Sequence, residues 1–305
     1  STAHPTPSTE VVDLGEVFGD DEETRQFAER YFRVQHTDLL FANAALFVEG
    51  VAERMLVPLF MELKYEKLNS RYVSFLDIGG SHAHRLRPLV EKLRIPTVVI
   101  TDLDPTEKRA GPKGKMRWMA TANTGQGGLR CGNATLREWH PQLHNVDDFK
   151  ALTPAQLIWT GAPDCKVRFA WQLPVVEARG QRPTTFEDSL ILTNIDWFKG
   201  LNKLVEEAQA AKASGQQKAD DDGKKVKPPS GALADVAEVV AGAATAVDLL
   251  SDLHALMRDS FSKGDFAASV FERVAAGEDV TCPKYIADAL AWLQDELEPD
   301  VSKTL

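Results

Sequence analysis

The chain has 305 residues, with 35 Lys and Arg against 45 Asp and Glu, and a formal net charge of −10. That length suits two domains or one large domain with an insertion, and 43% hydrophobic against 26% charged residues excludes a wholly disordered chain. Its three cysteines (Cys131, Cys165 and Cys282) form no CxxC pair, which argues against a zinc finger or a disulfide scaffold and for a reducing, cytoplasmic setting.

Residues 1–20 contain no basic stretch followed by an apolar run, so no secretory signal is expected. A helix is predicted over Asp21 to Leu40. Ala44 to Val48 is a short apolar run of the kind buried on both faces of a parallel sheet. After Glu49-Gly50 a helix is predicted, with Val51, Met55, Leu56, Leu59, Phe60 and Leu63 at helical spacing. A second strand over Val73 to Ile78 ends at Gly79-Gly80. Its helix, His82 to Leu93, stops near Pro96, and a third strand, Thr97 to Thr101, runs into Asp102-Leu103-Asp104. This alternation predicts a parallel α/β sheet with right-handed crossovers.

From Pro105 to about Ile158 the sequence turns Gly-rich, basic and polar, and only a short helix near Asn133 to His140 is expected. A strand over Val167 to Glu177 follows, then helices over Phe186 to Asn194 and Trp197 to Ala211. The polar stretch Lys212 to Gly231 reads as a mobile loop. Helices over Ala232 to Phe261, Asp265 to Ala276 and Pro283 to Glu296 close the chain. Ala232 to Leu250 is its most apolar stretch, but Asp235, Glu238 and Asp248 interrupt it, so no membrane span is expected.

In an open parallel sheet, ligands bind beyond the carboxyl ends of the strands. Glu49, Asp102 and Asp104 follow predicted strand ends, and Glu53 lies one helical turn into the first helix. A like-charge pair 4 Å apart costs about 4 kcal/mol at an effective dielectric near 20. Four converging carboxylates therefore need a positive counterpart, and oxygen ligands select a hard cation such as Mg²⁺ or Mn²⁺. Read singly, each acid is an ordinary cap or turn former.

Val48-Glu49-Gly50-Val51-Ala52-Glu53 resembles the VEGxxE opening of a TOPRIM domain, and Asp102-Leu103-Asp104 is similar to its DxD. The Gly79-Gly80-Ser81 turn, Ile95 to Asp104, Arg182 to Glu187 and Lys263-Gly264-Asp265-Phe266-Ala267 further resemble the C-terminal region of the OLD (overcoming lysogenization defect) nucleases. The resemblance implies an α/β, Rossmann-like TOPRIM sheet flanked by helices, with an added mostly helical subdomain. It divides the chain into an N-terminal extension and helix (1–40), a TOPRIM catalytic domain (41–190) and a helical subdomain (191–305) with its loop at 212–231. It also implies a DNA endonuclease, with exonuclease action as a further possibility, using two Mg²⁺ or Mn²⁺ ions. Glu49, Asp102 and Asp104 would hold one ion, and Glu53 the other together with Glu107 or Glu187. Lys263 would complete the catalytic set, with Arg182 as the alternative cation.

DNA contact needs local positive charge. Lys108, Arg109, Lys113, Lys115 and Arg117 form a basic loop directly after the DxD, and Arg182 is expected on the same side. No GxxxxGK[ST] phosphate loop occurs. The ATPase that precedes the TOPRIM region in OLD nucleases is thus expected elsewhere in a longer protein, whose full-length form could be a homodimer. His82 and His84 read as polar caps, and the six tryptophans, Trp118 among them, as core or domain contacts.

Two rival functions fit parts of the chain. Asp77-Ile78-Gly79-Gly80 resembles the turn that cradles S-adenosylmethionine in methyltransferases, but that reading leaves Glu49, Glu53 and Asp104 without a role. A non-catalytic interaction module would require no divalent metal at all.

Overall fold

Five consecutive apolar residues, Ala44–Val48 (β1), are all buried at the centre of the sheet. In the computed structural model the described residues are 17, 25–26, 37–111, 114–121, 124–161, 165–176, 182–214, 228–259 and 261–298. Most of the helix expected over 21–40, and residues 215–227 of the expected loop, lie outside this set. Residues 212–214 continue a helix.

A helix, Val51–Lys64 (α1), follows β1, and a single turn, Glu66–Asn69 (α2), leads to β2 (Val73–Asp77). The expected second helix begins as a 3-10 turn at Ala83–Leu86 and becomes α-helical over Arg87–Leu93 (α3), with Pro88 in its first turn. β3 spans Thr97–Ile100. Beyond it the structure departs from expectation. Pro105–Ala110 (β4), Met116–Ala120 (β5) and Arg130–Cys131 (β6) form a separate antiparallel sheet in the order β5-β4-β6. The basic stretch is therefore a paired hairpin. Its strands lack the apolar alternation that marks a half-buried strand, because all of β5 and the outer half of β4 are exposed. Cross-strand pairing holds them instead, with Lys108 opposite Trp118 and Arg109 opposite Arg117.

Ala134–Glu138 (α4), Ile158–Thr160 (β7) and Lys166–Ala170 (β8) follow. The principal sheet has the order β2-β1-β3-β8-β7, parallel throughout except for the antiparallel edge strand β7. The remaining helices are Phe186–Thr193 (α5), Ile195–Ser214 (α6), Ala232–Gly242 (α7), Ala246–Asp259 (α8), Lys263–Ala275 (α9) and Lys284–Leu297 (α10). The single helix expected from Ala232 divides at Gly242, and the Thr245 hydroxyl restarts it by accepting from the Asp248 N–H at 3.1 Å.

Strand alternation divides the interior in two. Ala44, Leu46 and Val48 face a core shared with α1 and the C-terminal helices, whereas Ala45 and Phe47 face one shared with α3 and α4. The helices after residue 186 thus pack onto one face of the sheet and share its core. Phe266 of α9 stacks on Phe198 of α6, with ring centroids 6.2 Å apart and planes at 10°. Lys263 opens that same helix, so this packing fixes where its ammonium stands. Phe266 is fully buried, and Phe266→Ala should cost about 3–5 kcal/mol. The check is a lower denaturant midpoint with an unchanged slope; a loss below about 1 kcal/mol would remove Phe266 from the shared core.

Candidate active site

Glu49 leaves the end of β1, and Gly50 caps α1 in an extended conformation, which brings Glu53 back over the same strand end. A Cβ on Gly50 would stand 3.0 Å from Glu53 Oε2, so the absent side chain leaves room for that carboxylate. Asp102 follows β3, the parallel neighbour of β1. Asp104 takes a left-handed conformation, φ 47°, where the chain turns away from the main sheet. Gly132 supports this turn. Its N–H donates to the Asp104 carbonyl at 2.8 Å, and a Cβ there would come within 2.6 Å of that oxygen.

Neutral donors hold the carboxylates. Asn133, fully buried, caps α4 by accepting from the Leu136 N–H at 3.1 Å. Its amide nitrogen lies 2.9 Å from Glu49 Oε1, 2.8 Å from Thr101 Oγ1 and 3.4 Å from Asp104 Oδ2. Thr101 also donates to Glu49. Gln172, just beyond β8, donates to Asp102 while its carbonyl oxygen accepts from the Leu103 N–H at 3.1 Å. Sequence reasoning missed Asn133, Thr101 and Gln172. The signals available were an Asn at the start of a short helix and a Gln after an apolar strand, neither of which indicates a partner 84 or 70 positions away.

Glu187, in the first turn of α5, and Lys263, in the first turn of α9, complete the cluster. They form an ion pair at 3.0 Å in which Glu187 is 1% exposed and Lys263 about half exposed. The other candidate acid, Glu107, sits on β4 and accepts from Arg109 and, at 2.6 Å, from Gln126. Glu187 thus joins the acids of the motif, and Glu107 is held on the hairpin. Arg182 is buried at 6% exposure with its charge facing Asp147, so a direct phosphate contact is not open to it in this arrangement. Lys108, Arg109, Lys115 and Arg117 all lie on the hairpin, and Lys113 lies outside the described residues.

Exposure is graded across the cluster, with Glu53 and Glu187 buried, Glu49 and Asp102 half-buried and Asp104 reaching the surface, and the electrostatics follow from this crowding and partial loss of solvent. Desolvation, reinforced by Asp104 and opposed by the Thr101 and Asn133 hydrogen bonds, holds the Glu49 carboxyl at about 7. Burial and then the Glu187 charge do the same for Glu53, also at about 7. Burial, then Glu49, Glu53, Asp104 and Glu187, push Asp102 well above the usual carboxylate range. Asp104, the most exposed of these acids, is raised by partial desolvation against the Asn133 hydrogen bond and Lys263. For Lys263, burial acts downward, but Glu187, Asp102 and Glu53 outweigh it and keep the ammonium above its ordinary value. Because each group's titration depends on the charges of the others, the five acids and one lysine form a single electrostatic unit.

The donor set suits a hard cation, since every candidate ligand is a carboxylate oxygen and the buried Glu187 Oε1 has no hydrogen-bond partner. Among the described residues no group of three His, Cys, Asp or Glu side chains is closed around a metal position as it stands. Thr101, Asn133, Gln172 and Lys263 instead occupy carboxylate oxygens that a cation would use. The Asp77 turn has a backbone role: Asp77 accepts from the Gly79 N–H at 3.0 Å, and the Gly80 N–H donates to the Glu49 carbonyl at 3.3 Å. The glycines that suggested S-adenosylmethionine thus brace the strand end carrying Glu49. His84 pairs with Glu138 at 3.3 Å.

A parallel sheet with an acid at the end of β1, a DxD after β3 and a returning glutamate in the first helix is a TOPRIM-type α/β fold. Residues 40–104 match the family model described as overcoming lysogenization defect protein-like, TOPRIM domain, so the chain carries an OLD-like TOPRIM domain. Over 282 residues it is 26% identical to Endonuclease GajA of Bacillus cereus (strain HuB5-5), a match that covers 91% of this chain and 35% of that protein. The chain therefore spans about a third of the length of this curated relative. It is also similar to the C-terminal region of the Burkholderia pseudomallei OLD protein, with 20% identity, TM-score 0.46, and coverage of 85% of this chain and 100% of that one. The C-terminal region of the Xanthomonas campestris pv. campestris OLD protein is similar at 19% identity and TM-score 0.38, over 84% and 95% of the two chains. Among the described residues no helix is long and apolar enough to cross a membrane.

Glu49 and Glu53 bind a proton more tightly in the folded chain (about 7) than at their ordinary value of 4.5. Between those pH values the folded protein holds more protons than the unfolded one, so metal-free stability falls as pH rises through the window, by an amount on the order of a few kcal/mol. Melting temperatures in EDTA should decline from pH 5 to pH 7.5, and Glu53→Gln should flatten the decline. Parallel curves for the two proteins would contradict this account.

Proposed function

We propose that this chain is a divalent-metal-dependent DNA endonuclease that hydrolyses phosphodiester bonds with two Mg²⁺ or Mn²⁺ ions, with cleavage from linear ends as a further mode. The observation that carries the reading is the meeting of Glu49, Glu53, Asp102 and Asp104 with Glu187 and Lys263 in one cluster, whose inner members Glu53 and Glu187 are buried. The OLD-like TOPRIM match and the similarity to an endonuclease support it.

In this reading Glu49, Asp102 and Asp104 hold one cation, and Glu53 and Glu187 hold the other. Divalent ions bound there supply an activated water and stabilise the departing oxygen. The protein's own task is to keep five acids near one another and ready to ionise. Asn133 and Thr101 orient Glu49, Gln172 orients Asp102, and the left-handed turn braced by Gly132 aims Asp104. Lys263 stays protonated and presents positive charge to the phosphate as negative charge develops on it. Lys108, Lys115 and Arg117 on the hairpin attract the DNA backbone without reading bases. An ATPase segment elsewhere in a longer protein, and a homodimer of that protein, belong to the same reading.

Plasmid nicking should appear with Mg²⁺ or Mn²⁺ and vanish in EDTA. Asp104→Ala should reduce it by at least about a hundredfold. Removing one of the mutually repelling carboxylates should hold or raise the metal-free melting temperature. Unaltered cleavage by a pure Asp104→Ala preparation would refute the assignment. Lys115 and Arg117 changed together to Ala should weaken DNA binding and reduce the magnitude of the salt slope by about two, while Mn²⁺ affinity stays unchanged. An unchanged slope would remove the hairpin from the DNA path.

A further inference from the structure

The hairpin β4–β5 carries more than charge. Met116, Trp118 and Met119 are 55%, 40% and 42% exposed, an unusual concentration of large apolar side chains on one short edge strand. Trp118, expected in the core or at a domain contact, stands on this exposed strand instead. Register and alternation put Met116, Trp118, Lys108 and Arg130 on one face: Lys108 lies directly opposite Trp118, and Thr106 is paired with both Ala120 and Arg130. The Arg130 guanidinium stands 5.0 Å from the centroid of the indole, a cation–π contact that covers part of the ring and fixes its orientation. Among the described residues no acidic side chain pairs with Lys108, Lys115, Arg117 or Arg130.

We propose that this face is a base-stacking site, in which the Trp118 indole, backed by Arg130, receives an unpaired nucleobase of the DNA strand while Lys108 neutralises an adjoining phosphate. The inference rests on the nuclease reading above and narrows its substrate to DNA with unpaired bases near the point of cleavage. The chemistry of the surface carries it. Aromatic rings interleaved with cations hold single strands through stacking and backbone charge, with little dependence on sequence. Position supports it as well. β4 starts one residue after Asp104 and β6 ends two residues before Asn133, so the hairpin grows directly out of the acid cluster. Trp118 lies level with Lys108, no more than about 14 Å along the strand from Asp104, the rise of about four stacked nucleotides. A second copy of this chain fits the same face poorly, because edge-to-edge pairing would bring two sets of uncompensated cations together. A polyanion is the complementary partner.

The test is fluorescence anisotropy in EDTA, where no cleavage occurs, with a labelled single-stranded oligonucleotide and a blunt duplex of the same length. Trp118→Ala should weaken single-strand binding roughly 5- to 150-fold, change duplex binding by less than about twofold, and leave the salt slope intact, since no phosphate contact is lost. Trp118→Phe, which keeps an aromatic face, should stay within about threefold of the unmodified protein on both substrates. Because β5 is exposed along its length, the melting temperature of Trp118→Ala should move by no more than about 2 °C. Equal losses on both substrates, or no loss on the single strand, would overturn the site. So would a stable dimer of the unmodified protein that Trp118→Ala dissociates, since a second copy would then occupy the face. Absence of any DNA binding by the unmodified protein would remove the nuclease reading as well, whereas normal binding that ignores Trp118 removes the stacking site alone.

Discussion

Mutual repulsion among crowded, partly desolvated carboxylates is the constraint around which this structure is arranged. Five acids from three separate segments are brought to one end of a sheet, where Glu53 and Glu187 are buried, Glu49 and Asp102 half-buried and Asp104 exposed. Burial penalises every charge and the charges penalise one another, so Glu49, Glu53, Asp102 and Asp104 all hold their protons more tightly than ordinary carboxylates. A fold does not keep such a cluster for stability alone, because apolar residues in the same volume would be at least as stable. The arrangement becomes favourable when positive charge enters it. Lys263 supplies one unit, and the unpartnered Glu187 oxygen shows that the demand is not exhausted.

β1 is buried on both faces, and its neighbours β2 and β3 run parallel to it, so their carboxyl ends open on the same side. Glu49, Asp102 and the Gly79-Gly80 turn share one rim as a consequence. The C-terminal helices are part of the same device. They bury their apolar faces on the sheet, and in doing so deliver Glu187 from α5 and Lys263 from α9 to that rim. Neutral amides then set the carboxylate orientations, and Asn133 does so while also capping a helix. The hairpin that leaves the rim beside Asp104 is exposed, cationic and partly aromatic, in contrast to the apolar interior from which it emerges.

Much of this was legible in the residues. The apolar run of β1, the glycine turn after β2 and the acids at successive strand ends each reflect local chemistry, namely burial on both faces, a backbone conformation with positive φ, and a polar group where a strand meets solvent. The hairpin was not legible, because β4 and β5 show little alternation of apolar and polar residues and owe their conformation to pairing with each other. Trp118 misled for the same reason. A tryptophan in a polar stretch is ordinarily assigned to the core, yet here it stands on the surface over an arginine.

The sequence by itself determined the parallel α/β sheet and the four acids of its motif, since strand burial and strand-end chemistry are encoded within a few residues of each position. Tertiary structure alone decided that Glu187 joins them in preference to Glu107, that Asn133 and Gln172 hold them, and that Arg182 is withdrawn from the surface. Those outcomes depend on which helix packs on which face of the sheet. Contacts between residues 70 to 84 positions apart are set by the packing of whole elements and leave no local trace in the order of the amino acids.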